Sequence, residues 1–252
     1  MRLLITNDDG IQAPGLHALC RAFAPAHQIT VVAPERERSA VSHGITLHKP
    51  LRPAPAVLNG VTQGWAVNGT PVDCVKLALA ELCQVRPDIV VSGINPGENV
   101  GINVLYSGTV AAAREAALGG MPAIAVSVQG RKGVYLDAAA LFVRALAETV
   151  AANGLPYGTM LNVNIPDRAP ADLAGVRITR LHLAPATERY EKRLDPRHRA
   201  YYWSGADRQR FEQGTDHDGT ALDEGYISIT PIACDTTDYR LLEMLKTWPL
   251  ET

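Results

Sequence analysis

Short apolar runs alternate with amphipathic stretches of helical length along much of the chain. Residues 3–6 (LLIT) lack polar alternation, the pattern of a strand buried on both faces. A helix is predicted from Ala13-Pro14-Gly15-Leu16 to about Phe23, because Leu16, Leu19, Cys20 and Phe23 share a face and Pro14 suits a first turn. Residues 29–33 (ITVVA) read as a second buried strand. Strand, helix, strand in that order is the signature of a parallel sheet.

Residues 34–44 (PERERSAVSHG) are a polar loop. Residues 45–48 and the proline-rich 49–55 predict a small antiparallel excursion, with 57–61 pairing with 65–67. Thr70 as N-cap and Pro71 just inside open a helix over 72–83. Residues 87–92 are the next core strand, and 93–108 a long loop whose four glycines and one proline mark it as functional. A helix over 109–118, a strand over 123–128, a helix over 136–152, strands over 160–165 and 176–180, a strand over 225–231 and a helix over 239–245 complete the pattern. From 183 to 222 the chain turns polar, with an aromatic cluster at Tyr201-Tyr202-Trp203, and reads as an arm packing on a second subunit.

Composition narrows the function classes. A chain of 252 residues with 46% hydrophobic and 20% charged residues suits one large α/β domain or two small ones. A net charge of −2 gives no electrostatic footprint for nucleic acid or an anionic membrane. No secretory signal and no membrane-spanning run is evident, so the expectation is a soluble cytoplasmic protein. Cys20, Cys74, Cys83 and Cys234 form no C-x-x-C pair and read as small apolar residues.

The chemistry is expected where three glycine-bearing loops follow three successive strands, since ligands of open α/β sheets bind beyond the carboxyl ends of the strands. These loops are Asp8-Asp9-Gly10, residues 34–44 with Ser39, and residues 93–108 with Asn95. Adjacent carboxylates repel unless something positive lies between them. Mg²⁺ or Mn²⁺ takes oxygen ligands and keeps several waters, so Asp8 and Asp9 with the Ser39 hydroxyl and the Asn95 carbonyl would suffice. No histidine or cysteine has zinc-ligand spacing. The rival bridging charge is Arg36 or Arg38 in an ordinary ion pair, and the turn itself could be a plain solvated one. Ser107-Gly108-Thr109 leads into a helix start, which is either an anion site or simply a cap. His43, His48 and His217 could each serve the site as an acid or base, or be a plain polar surface residue. Dinucleotide, Walker and nucleophile-elbow motifs are absent.

Several segments together resemble the stationary-phase survival protein (SurE) family of 5′-nucleotidases. They are residues 5–10 (ITNDDG) with 13–15 (APG), 32–34 (VAP) with 38–40 (RSA), 67–74 (VNGTPVDC), 87–97 (PDIVVSGINPG), 106–115 (YSGTVAAARE), 215–216 (TD) and 225–231 (GYISITP). The resemblance spans nearly the whole chain. It implies a Rossmann-like three-layer αβα sandwich with a protruding C-terminal β-arm, residues 183–222, used in a homodimer or homotetramer. It implies hydrolysis of nucleoside 5′-monophosphates, with one divalent cation (Mg²⁺ or Mn²⁺) per subunit on Asp8, Asp9, Ser39 and Asn95. Asp8 and Asp9 are then the catalytic residues, with either metal-activated water or Asp8 as nucleophile, and Asn95, Ser107, Gly108 and Thr109 are expected to bind the phosphate. Family members also act on 3′-nucleotides or short polyphosphate. A non-catalytic nucleotide-sensing module and a phosphotransferase are the alternatives from other classes.

Overall fold

The computed structural model describes residues 1–58, 61, 63–130, 132–183, 190–204 and 216–250. The elements are β1 (Arg2–Thr6), α1 (Pro14–Phe23), β2 (Gln28–Pro34), β3 (Pro53–Pro55), β4 (Gln63–Val67), α2 (Pro71–Leu77), β5 (Ile89–Pro96) and α3 (Gly108–Leu118), followed by β6 (Ala123–Val128), α4 (Leu136–Asn153), β7 (Thr159–Ile165) and β8 (Gly175–Ile178). β9 (Tyr190–Leu194), β10 (Ala200–Ser204), α5 (Asp218–Asp223), β11 (Tyr226–Ala233) and α6 (Tyr239–Leu245) complete the chain.

The main sheet runs β3-β4-β2-β1-β5-β6-β7-β11-β8. From β4 to β7 every neighbouring pair is parallel, while β3 and β11 run antiparallel to β4 and β7. Alternate residues of β1 serve opposite layers. Leu3 and Ile5 pack with Leu16, Leu19 and Phe23 of α1 and Val143 of α4. Leu4 packs with Val75 of α2 and Val110 and Ala113 of α3. Helices thus cover both faces, which explains why the parallel strands are unbroken apolar runs. This is the three-layer αβα sandwich expected from the sequence. Among the described residues no helix is long and apolar enough to cross a membrane.

β1 lies between β2 and β5. The chain leaves β1 toward one edge, then returns to the other side of it as β5. A crevice opens beyond the strand ends at such a switch point, and Asp8-Asp9 follow β1 there while Asn95 ends β5.

Four expectations need correction. The antiparallel partner of 65–67 is 53–55, with Pro53 opposite Val67 and Pro55 opposite Trp65. Prolines lack a donor and are tolerated on an edge strand. Val57 is almost fully exposed instead, residues 59 and 60 lie outside the described residues, and residues 45–48 form no strand. The helix over 72–83 keeps α geometry only to Leu77. It ends in one wide turn, in which Cys83 N–H donates to Ala78 O at 2.9 Å. The loop over 93–108 is shorter than expected, because β5 continues to Pro96 across a register shift and residues 101–105 form a short 3₁₀ turn. The stretch from 183 to 222 is not all arm. β9 and β10 form an exposed two-stranded hairpin, but α5 returns to the body with Ala221 and Leu222 buried. Residues 184–189 and 205–215, including Thr215, lie outside the described residues.

Candidate active site

The turn after β1 is closed by its own side chain. Asn7 Nδ2 donates to Gly10 O at 2.9 Å, and Gly10 N–H donates back to Asn7 Oδ1 at 3.2 Å. Gly10 holds φ +102°, and a Cβ there would lie 3.1 Å from the Arg36 carbonyl carbon. Only glycine fits that backbone and that contact.

Main-chain bonds stitch the next loop to this turn. Ile11 N–H donates to Pro34 O, and Arg38 N–H donates to Asp8 O at 2.7 Å. Ser42 then ties the same loop to the entrance of α3, its N–H donating to Tyr106 O and its hydroxyl to Leu105 O. His43 Nε2 lies 2.8 Å from Glu115 of α3. Between these anchors Ala40 and Ser42 hold φ of 55° and 52°, a left-handed backbone that persists for non-glycine residues only where surrounding contacts over-determine it.

The three loops enclose a cleft of about 640 Å³ whose lining includes Asp8, Asp9, Glu37, Ser39, Asn95 and Ser107. Five of the seven residues expected at the site therefore line one cavity. The other two lie directly behind it. A Cβ on Gly108 would fall 2.9 Å from Asp8 Oδ2. Thr109 is fully buried, and its hydroxyl donates to Asp8 Oδ1. The Thr109 hydroxyl, expected as a phosphate donor, is thus committed to a carboxylate. Ser107 caps α3, its Oγ accepting from Val110 N–H at 3.2 Å, while the residue still borders the cleft.

Among the described residues neither carboxylate has a cation beside it. Burial raises Asp8 above the usual aspartate range, with Glu37 adding to the rise, while hydrogen bonds from the Thr109 hydroxyl and main chain oppose it. Burial, with the neighbouring charges of Asp8 and Glu37, pushes Asp9 up to about 7. Asp9 Oδ2 is buried without a hydrogen-bond partner. Among the described residues neither Arg36 nor Arg38 makes an ion pair with these acids; Arg38 instead donates to Asn68 O, at 3.4 Å.

The donors suit a hard divalent cation. Asn95 Nδ2 donates to Gly97 O at 2.6 Å, which fixes the amide and leaves its carbonyl oxygen as the group on offer. Ser39 Oγ donates to Glu37 Oε1 at 2.5 Å, leaving its lone pairs to act as acceptor. Among the described residues no three histidine, cysteine or acidic side chains are grouped to hold a metal. The fit rests on a mixed set of two carboxylates, a hydroxyl and an amide oxygen, which is the ligand chemistry of Mg²⁺ and Mn²⁺. Buried Asp9 Oδ2 is the atom that most needs such an ion.

Among the described residues no histidine lines the cleft. His43 is held by Glu115, His217 stacks on His182 with ring centroids 4.4 Å apart, and His48 is exposed.

Sequence reasoning missed the far wall. Asn99 lines the cleft and is buried. Its N–H donates to Asn164 Oδ1 at 2.8 Å, its amide to Ser127 Oγ at 2.8 Å, and its carbonyl accepts from Asn162 and Asn164. Gly101 N–H donates to the buried Asp218 Oδ2 at 2.7 Å. The one legible signal was the pair of asparagines inside the apolar strand β7, since a buried amide implies a partner.

A family model described as Survival protein SurE matches residues 3–188. A protein of Desulfatibacillum aliphaticivorans named 5′-nucleotidase SurE is 53% identical over 251 residues, covering 100% of this chain and 99% of that one. Its namesake in Heliobacterium modesticaldum is 49% identical over 249 residues, covering 98% and 92%. The crystal structure of the SurE protein from Aquifex aeolicus superposes with a TM-score of 0.84 at 35% identity, covering 98% of each chain.

Proposed function

The chain belongs to the SurE family of survival proteins, and from that premise we propose that it is a divalent-metal-dependent phosphomonoesterase hydrolysing nucleoside 5′-monophosphates to nucleoside and phosphate. The observation that carries this reading is the adjacent pair of buried Asp8 and half-buried Asp9, whose Oδ2 has no hydrogen-bond partner, in a cleft built from three loops at the sheet's switch point. Asp8, Asp9, Ser39 and Asn95 would hold one Mg²⁺ or Mn²⁺, which when bound supplies Lewis-acid polarisation of the phosphoryl group.

The chain's own residues do the rest. Thr109 fixes the rotamer of Asp8 through its hydroxyl and opposes the upward push of burial on its pKa. Gly108 lets the start of α3 approach that carboxylate, so the positive end of the helix dipole favours negative charge there. The Ser107 hydroxyl at the same helix start and the second amide hydrogen of Asn95 would donate to phosphate oxygens. The protein's contribution is thus positioning and electrostatic stabilisation. Hydrolysis of 3′-nucleotides or short polyphosphate would use the same groups. The exposed β9–β10 hairpin, with Tyr201, Tyr202 and Trp203 largely unburied, supports assembly into a homodimer or homotetramer.

The deciding experiment is phosphate release from AMP with Mn²⁺, with and without EDTA, for the natural chain and Asp8→Asn. Activity abolished by EDTA and lowered at least about 10²-fold by the substitution is expected. AMP binding without phosphate release would favour a nucleotide-sensing module.

A further inference from the structure

The cleft is larger than a phosphate needs, and one of its walls carries an aromatic ring. A volume of about 640 Å³ falls within the range of sites that enclose a whole small-molecule ligand. Among the described residues Tyr106 is the single aromatic lining the cleft, and it is 53% exposed.

The backbone that bears this ring is fixed on both sides. Tyr106 N–H donates to Asn103 O at 3.1 Å, and its carbonyl accepts from Ser42 N–H at 3.0 Å. The next residue, Ser107, caps α3. A large aromatic side chain on an immobile backbone, left half in solvent, loses little conformational freedom when a flat ligand covers it. Asn103, exposed on the same wall, adds an amide that both donates and accepts. The acidic end of the cleft, by contrast, offers nothing to an apolar ring.

We propose that Tyr106 is the platform on which the nucleobase stacks while the phosphate lies beside Asp8 and Asp9, which makes it a specificity-determining residue of the reaction. This rests on the nucleotidase reading and names how that site tells a nucleotide from other phosphomonoesters. Stacking is tolerant of base identity because every base has a π-face. The larger purine ring covers more of the tyrosine, so purine monophosphates are preferred to pyrimidine ones.

The test compares kcat/KM for AMP and for ribose 5-phosphate, which keeps the sugar and phosphoester but lacks the base. Full-length natural protein, Tyr106→Ala and Tyr106→Phe are assayed with Mn²⁺. The AMP-to-ribose 5-phosphate ratio is expected to fall by about tenfold or more in Tyr106→Ala, in line with the worth of base–aromatic stacking. The loss should fall on KM, as for binding energy shared by ground and transition states. Tyr106→Phe, which keeps the ring, should hold the ratio. An unchanged ratio in Tyr106→Ala overturns the proposal, as does an equal loss on both substrates. So does a Phe variant as impaired as the Ala variant. If Tyr106→Ala loses its native circular dichroism, Tyr106→Leu, which fills the volume without a π-face, replaces it. Natural protein that releases no phosphate from either substrate would instead defeat the nucleotidase reading.

Discussion

Asp8 and Gly108 meet with no room for a methyl group between them: a Cβ built on Gly108 would lie 2.9 Å from both Cβ and Oδ2 of Asp8. The contact joins the turn after β1 to the first residue of α3, a hundred residues later. It also explains why the helix start faces a carboxylate.

Gly108→Ala is therefore expected to damage catalysis more than folding. Gly108 holds no left-handed φ, so alanine meets no backbone strain, and the overpacking penalty is about 1–3 kcal/mol. Displacing Asp8 by about an ångström should lower kcat about 10²-fold. Steady-state assays beside a thermal melt separate the two effects.

Thr109→Val removes a donor and keeps the volume. The Thr109 hydroxyl lowers the Asp8 pKa against the upward push of burial, so its loss raises that pKa further. The acid limb of the pH–kcat/KM profile should move to higher pH in Thr109→Val and stay in place in Thr109→Ser. An unmoved limb in the valine variant would leave the hydroxyl with only a packing role.

Metal-free protein should lose stability as pH rises from about 4 to about 7. Asp9 goes from an ordinary aspartate pKa of 3.8 in the unfolded chain to about 7 in the folded one. Its folded form binds the proton more tightly, so the stabilisation is complete below the unfolded value and lost through the folded one. A divalent cation compensates the ionised acids, and its binding strengthens as the proton leaves. At about 100 times Kd it should add about 2.7 kcal/mol, or about 5–10 °C in Tm for a chain of this size. The difference in Tm between Mn²⁺ and EDTA should be larger at pH 8 than at pH 5. Asp9→Asn should raise the metal-free Tm at pH 8 and abolish the metal response.

Asn164→Ala tests the wall behind the cleft. It leaves the buried Asn99 N–H without its acceptor, at a cost of about 1–3 kcal/mol, read as a Tm lowered by about 2–12 °C. Because Asn99 borders the cleft, KM for AMP should rise as well. Unaltered KM at a lowered Tm would confine the network to stability.

Local signals made the layers readable in advance. The strand over 3–6, the face formed by Leu16, Leu19, Cys20 and Phe23, and the entry at Thr70-Pro71 all depend on near neighbours, and all appear as expected. The excursion at 53–67 was misread because pairing there depends on which strand has a free edge, and proline content alone does not reveal that. Convergence of Asp8, Asp9, Ser39 and Asn95 could be anticipated because parallel strands send successive loops to one end of the sheet.

The order of residues along the chain was enough to determine the parallel sandwich, the glycine turn after β1 and which polar side chains gather beyond its strands, since periodicity and backbone sterics act over a few residues. Tertiary structure alone decided that the Thr109 hydroxyl serves Asp8, that among the described residues no arginine pairs with the acids, that Asn99 is held by Ser127 and Asn164, and that Tyr106 lines the cleft. Each of those depends on burial and on distances between groups remote in sequence, and these are set only when the layers close.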